Sequence, residues 1–215
     1  MKSLFITFEG GEGAGKTTLI NRLDEELQSR GCSVVKTREP GGSKLGNIIR
    51  NLVLNHDAET HISTMTELML FLAARAQHLE EVIKPALEAG KVVLCDRFND
   101  STVAYQGCAR GLGADTVRTI CDLVCQGITP EMTFFLNVNP EEGLRRTRNS
   151  AKENAASGHV DRIESEKMSF HEKVRQAFLI IAKENPERFH TLDASRPAKV
   201  VFSEAIRLID RRLKR

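Results

Sequence analysis

A chain of 215 residues can bury a proper α/β core, so neither a metal nor a disulfide is needed to hold it. Hydrophobic residues make up 40% and charged residues 28%, an ordinary water-soluble balance. The formal charge is +2, from 31 basic and 29 acidic residues, which excludes a general binder of nucleic acid or membrane.

Other classes drop out as quickly. No apolar stretch approaches the roughly 18 residues of a membrane span. The start, Met1 to Phe5, runs directly into a strand-like segment and lacks the long apolar region of a signal peptide. The five cysteines (Cys32, Cys95, Cys108, Cys121, Cys125) show no Cys-x-x-Cys pair and no zinc spacing. Reduced thiols in a cytoplasmic protein are the expectation.

Leu4 to Phe8 is a short run of β-formers that ends at Glu9-Gly10-Gly11. A helical pattern runs from about Gly15 to Arg30, with Leu19, Ile20, Leu23 and Leu27 on one face, and Gly31 stops it. Ser33 to Thr37 reads as a second strand, and Arg38-Glu39-Pro40-Gly41-Gly42 as a loop. Ser43 caps a helix to about Leu54. A long helical pattern covers Thr64 to Ala89, with a bend expected before Pro85. Lys91 to Cys95 is a buried strand followed at once by Asp96-Arg97. Helices are expected near Ser101 and from Ala114 to Gln126, then a strand from Thr133 to Val138. Pro140 opens another helix at its favoured first turn. The polar stretch Asn149 to His159 reads as a loop. Helices at Asp161 to Glu184 and Pro197 to Leu213 flank a fifth strand, Phe189 to Leu192. Strands apolar on both faces, alternating with helices, describe an α/β protein with a parallel sheet covered on both sides.

Gly10-Gly11-Glu12-Gly13-Ala14-Gly15-Lys16-Thr17 matches the phosphate-binding pattern G-x-x-x-x-G-K-[ST] in full, between a strand and a helix. Its glycines let backbone N–H groups point inward at phosphate oxygens, and the following helix offers its positive end. Lys16 suits the β- and γ-phosphates and Thr17 a Mg²⁺ ion. GTPases, ATPases and motors share this pattern, so other residues must decide. Asp96, at a strand end, suits Mg²⁺ through water. Arg97 beside it suits a second phosphate group, because its fork matches bidentate contact. Arg38 heads the loop after the second strand. Phe71 and Arg75 share a helix face, where a ring and a guanidinium together suit a base.

These stretches resemble the thymidylate kinase family over nearly the whole chain. They are Phe8-Glu9-Gly10 with the cradle, Thr37 to Gly42, Phe71-Leu72-Ala73-Ala74-Arg75, and Asp96-Arg97 with Ser101 and Ala104-Tyr105-Gln106-Gly107. Asp161-Arg162-Ile163-Glu164 and Leu192-Asp193-Ala194-Ser195 complete the set. The resemblance implies a P-loop NTPase fold with sheet order 2-3-1-4-5, in one domain over 1–215 with a lid at about 146–160. It implies transfer of the γ-phosphoryl group of ATP to dTMP, with Mg²⁺. It further implies a cytoplasmic homodimer without nucleic-acid or membrane partners.

Roles follow from the resemblance residue by residue. Phe71 would stack on thymine, Arg75 bond its O4 edge and Thr102 its polar edge. Arg97 would hold the 5′-phosphate, helped by Arg38 and Arg50, with Gln106 also on the acceptor side. Tyr105 would stand where a ribose 2′-hydroxyl would go. Glu12 would meet the 3′-hydroxyl or the metal shell. Gly10 to Thr18, Arg146, Asp193 and Ser195 would surround ATP. Some members carry a basic residue in the cradle where this chain has Gly13, so the catalytic cation is expected from the lid. Ser157-Gly158 stands where an arginine and glycine are usual, leaving Arg145, Arg146, Arg148, Lys152 and Arg162 as candidates. Arg148 is the first choice and Arg162 the second. Two alternatives are a kinase for another monophosphate and a P-loop switch protein without an acceptor. A GTP-dependent switch would want an Asn-Lys-x-Asp motif, and the chain has none.

Overall fold

The computed structural model describes residues 3–55, 61–153 and 162–213. In chain order these form β1 (Leu4–Glu9), α1 (Lys16–Ser29), β2 (Val34–Arg38), α2 (Lys44–Leu54), α3 (Thr64–His78), α4 (Lys84–Glu88), β3 (Val92–Asp96) and α5 (Asn99–Thr102). Then come α6 (Ala114–Cys125), β4 (Met132–Asn137), α7 (Pro140–Glu153), α8 (Met168–Glu184), β5 (Phe189–Asp193) and α9 (Ala198–Leu213).

The strands make one sheet in the order β2-β3-β1-β4-β5. Every pairing is parallel. Burial explains the order. All six residues of β1 are buried, so it takes the centre. β2 and β5 carry partly exposed residues and form the edges. Side chains alternate across the sheet. Leu4, Ile6 and Phe8 pack on one face with Leu19, Leu23 and Leu27 of α1 and with Ala205 and Ile209 of α9. Phe5 points to the other face, with Val93, Phe98, Leu79 and Ile83. On that second face Phe135 stacks on Phe178 of α8, ring centroids 5.1 Å apart.

The register is what builds a site. Phe8 lies opposite Asp96, and Glu9 lies opposite Phe135. The ends of β1, β3 and β4 therefore share one edge of the sheet, and the loops that leave them meet there. Parallel sheets of this kind bind ligands at that edge.

Four segments differ from the sequence reading. The long helix contains a π-helical turn at Leu79–Ile83 before Pro85. Proline has no N–H to donate and its ring crowds the carbonyl four residues back, so the widened turn absorbs both defects. A second π-helical stretch, Val103–Ala109, continues the helix that starts at Asn99. α7 runs through residues 149–153, where a loop was expected, and residues 154–160 of that loop and of the expected lid lie outside the described residues. The helix expected from Asp161 starts at Met168, after turns at residues 162–166.

Candidate active site

The cradle joins the end of β1 to the start of α1. Gly15, at φ 91°, turns the chain into the helix in a conformation that L side chains avoid. Lys16 is 8% exposed, and its Nζ donates to the carbonyls of Gly10 at 3.2 Å and Gly11 at 3.0 Å. Burial, and after it the nearby Arg97 charge, lower its pKa. Thr17 and Thr18 are exposed at the head of α1.

Gly13 is a place of close approach. A Cβ there would overlap the backbone of Gly143 in α7, and a Cβ on Gly143 would overlap the carbonyl oxygen of Glu12. α7 thus rests on the tip of the cradle through two missing side chains. A basic residue at position 13 has no room while α7 sits there.

Arg97 follows β3 with φ 69°, unusual for a residue with a side chain. Its N–H donates to Phe8 O at 2.9 Å, which pins this turn to the central strand. Its guanidinium donates to Gly10 O at 3.0 Å, Ser101 Oγ at 3.2 Å and Glu12 Oε1 at 2.5 Å. It also lies over the Tyr105 ring, 4.9 Å from the centroid. The Tyr105 hydroxyl donates to Glu12 Oε1 at 3.2 Å. Burial alone would raise the Glu12 carboxyl, but Arg97 and Lys16 outweigh it and hold it below the usual range.

Two further carboxylates stand behind this group. Glu9 is fully buried and accepts from Phe98 N at 2.8 Å and Ser101 Oγ at 2.5 Å. Burial, with Asp100 next, pushes it up to about 8. Asp96 Oδ1 is buried and has no hydrogen-bond partner among the described residues.

Two cavities open on this edge. The larger runs from Glu12 through Thr18 to Ala194, Ser195 and Arg196 after β5. Ser195 donates through N and Oγ to Asp193 Oδ1, at 3.0 and 2.6 Å, so Asp193 shapes this rim. The smaller is lined by Phe71, Arg75, Thr102, Tyr105 and Gln106 among others. Glu12, Glu39, Arg50 and Arg97 line both.

Arg75 is 2% exposed and held from two sides. Its Nε donates to Glu39 Oε2 at 2.7 Å and another nitrogen to Thr102 Oγ1 at 2.8 Å. Glu39 Oε1 meets His78 Nδ1 at 2.9 Å. Phe71 belongs to an apolar cluster with Ile49, Val53 and Leu54.

Most of the residues singled out in the sequence converge here. Arg38 is exposed on the rim of the larger cavity, and Arg50 donates to Pro40 O at 3.0 Å. The candidate cations separate. Arg146 lines the larger cavity and donates to Ala194 O at 2.9 Å. Arg145 is exposed and paired with Glu142. Arg148 is exposed and lines neither cavity. Arg162 is ion-paired with Glu67. The Lys152 side chain, Ser157, Gly158 and Asp161 lie outside the described residues. Glu39, Glu9 and Gly143 were not foreseen. For Glu39 the signal was its place between Arg38 and Pro40; for Gly143 the signal was a glycine inside a helix, where it costs about 1 kcal/mol relative to alanine.

A phosphate cradle at the edge of a parallel sheet in this order, facing a second cavity across a shared arginine, defines a P-loop phosphotransferase of the nucleotide-kinase class. The family model for thymidylate kinase matches residues 8–205. The chain is 54% identical to the thymidylate kinase of Protochlamydia amoebophila, covering 97% of this chain and 93% of that one. It is 46% identical to the thymidylate kinase of Bacillus pumilus, over 100% and 99%. The crystal structure of thymidylate kinase from Ehrlichia chaffeensis superposes with a TM-score of 0.76 at 34% identity, covering 97% and 99%. The chain belongs to the thymidylate kinase family.

The buried Glu9 sets a pH dependence. Its carboxyl stays protonated in the folded chain up to about 8, against 4.5 ordinarily. Its stabilising share is full below the unfolded value and lost as pH rises through the folded one. Glu9→Gln keeps the neutral form at every pH. The stability of the wild type relative to Glu9→Gln should therefore fall between about pH 4.5 and 8, by urea unfolding at several pH values. A flat difference would show that Glu9 ionises as readily folded as unfolded.

Proposed function

We propose that the larger cavity seats ATP with its phosphates in the Gly10 to Thr17 cradle, and that the smaller seats dTMP. As a thymidylate kinase the chain transfers the γ-phosphoryl group of ATP to dTMP, giving dTDP and ADP for nucleotide supply. The observation that carries the seating is that Arg97 and Glu12 line both cavities. The acceptor phosphate then faces the donor phosphates across one guanidinium.

The acceptor oxygen is already anionic, so no strong base is needed. The work is to hold two anions end to end and cancel their repulsion. Lys16, buried, and Arg97, partly buried, supply positive charge. Lys16 rests on its own loop carbonyls and Arg97 on Glu12. Phosphate oxygens would replace those weaker partners, and Glu12 would turn to the sugar 3′-hydroxyl or the metal shell. Phe71 and Arg75 take the thymine ring and its edge, with Thr102 and Gln106 beside them. Arg38 and Arg50 reinforce the phosphate side. Tyr105, ordered by Arg97 and Glu12, fills the space a ribose 2′-hydroxyl would need. Gly10, Gly11, Gly13, Ala14 and Gly15 offer backbone N–H groups, while Thr18, Asp193 and Ser195 border the donor.

Thr17 and Asp96 would hold Mg²⁺. The buried Asp96 Oδ1 supports this, as a carboxylate oxygen with no hydrogen-bond partner among the described residues. Among the described residues no cluster of three His, Cys, Asp or Glu could cage a metal. When bound, the ion offsets charge on the phosphate oxygens.

Among the α7 cations, the placement favours Arg146 over Arg148 for the donor phosphates. Residues 1–215 are read as one domain with its lid at about 146–160, supported by the single sheet. Leu45, Ile48 and Leu52 are exposed on α2 and Met65 and Met69 on α3, two helices that pack together, and these exposed apolar side chains support a homodimer. No described helix is long and apolar enough to cross a membrane. The small net charge supports an enzyme without nucleic-acid partners, and we read it as cytoplasmic.

Arg97→Ala should raise the KM for dTMP about 10- to 100-fold, the worth of a charged hydrogen bond. Coupled ADP release with dTMP, dUMP, dGMP and dCMP measures it, and unchanged dTMP kinetics would remove the role. Arg146→Ala should lower kcat at least about tenfold and Arg148→Ala less. The reverse ranking would return the role to Arg148. Ile48→Glu should convert a dimer to a monomer in sedimentation equilibrium; a wild-type protein that sediments as a monomer would dispose of the homodimer.

A further inference from the structure

Glu67 lies in the first turn of α3, four and eight residues before Phe71 and Arg75, so all three share one helix face. Phe71 and Arg75 line the smaller cavity, while Glu67 does not and is 1% exposed. A carboxylate buried so deeply needs partners. Two other parts of the chain provide them. Glu67 Oε1 accepts from Gln106 Nε2 at 2.7 Å and Arg110 Nε at 3.3 Å. Its Oε2 is ion-paired with the Arg162 guanidinium.

What these contacts fix is the segment 162–166, which forms turns and has no helix or strand bonding of its own. Arg162 N donates to Leu54 O at 3.3 Å, and Arg110 donates to Glu166 Oε1 at 2.5 Å. Ile163 is thereby carried to the smaller cavity. It packs against both the cluster of Phe71 and the cluster of Tyr105. It is also the one described lining residue of that cavity from beyond position 106. An aliphatic side chain there offers contact to the nucleotide's apolar faces and excludes water.

We propose that Ile163 is a wall of the acceptor pocket that sets affinity for the monophosphate, and that Glu67 is the positioning residue that holds it there through Arg162. The inference rests on the reading of the smaller cavity as the dTMP site. Glu67 acts at one remove: it gathers the α3 face, Gln106 and the 162–166 segment around a single buried charge.

Steady-state kinetics of the full chain at saturating ATP test this. Ile163→Ala should raise the KM for dTMP about five- to tenfold through lost apolar contact, with kcat and the KM for ATP within about twofold. Glu67→Gln and Arg162→Ala should move the same constant, and Arg162→Lys should recover most of it. The double variant Glu67→Gln/Ile163→Ala should be no worse than the worse single one, since both act on one wall. Unchanged dTMP affinity in Ile163→Ala, multiplied effects in the double variant, or no recovery with lysine would each overturn the proposal. Thermal melts check folding; if Glu67→Gln does not fold, Arg162→Ala with Ile163→Ala supplies the same cycle. Phe71→Ala separates the two readings. If it leaves dTMP affinity unchanged, the pocket assignment fails; if it weakens dTMP while Ile163→Ala does not, only the present inference fails.

Discussion

Positive charge held out of bulk water, as the proposed seating of two polyanions requires, is unstable alone. This chain meets that constraint with carboxylates and carbonyls as stand-in partners. Arg97 is held by Glu12 and Gly10, Arg75 by Glu39, and Lys16 by the carbonyls of its own loop. Each cation is therefore oriented in advance, and in the proposed seating it would exchange a partner for a phosphate or a base edge. The carboxylates are as much part of the site as the cations they hold.

Geometry for this arrangement comes from the sheet register. β1 and β3 run parallel with Phe8 opposite Asp96, so the cradle and the Asp96-Arg97 turn leave the sheet side by side. The hydrogen bond from Arg97 N to Phe8 O ties the second to the strand that carries the first. Helix α7 then closes from the opposite side onto Gly13 and Glu12 through Gly143, and brings Arg146 with it. A glycine pair, rather than a charged side chain, sets the distance between cradle and α7. That is a physical reason for the missing basic residue at position 13.

The smaller cavity, proposed as the acceptor side, is walled by several separated segments. α2 contributes Arg50 and Leu54, α3 contributes Phe71 and Arg75, the loop after β2 contributes Glu39 and Pro40, the stretch after β3 contributes Thr102, Tyr105 and Gln106 among others, and the segment after α7 contributes Ile163. The last two are tied by side chains to α3, Arg75 to Thr102 and Gln106, Arg110 and Arg162 to Glu67. Apolar packing from Phe71 and Tyr105 fills the space between those ties.

Much was legible in the sequence because its causes are local. The cradle is a contiguous string whose glycines and lysine state their own chemistry. The strands are short apolar runs, and α1 shows its face through Leu19, Leu23 and Leu27 at helical spacing. The family likeness supplied the strand order that hydrophobic periodicity could not. What only the tertiary structure decided were relations between distant residues: Glu39 shared by Arg75 and His78, Glu67 joining Gln106, Arg110 and Arg162, and Gly143 lying against Glu12. The separation of Arg146 from Arg148 belongs there too, since two residues apart on a helix point in different directions and the bare sequence does not say which faces the cleft. The widened turn before Pro85 has a local cause, yet its form depends on how the helix packs on both sides of it. Periodicity and motif spacing report what a segment wants by itself; a buried charge chooses its partner only after the segments have met.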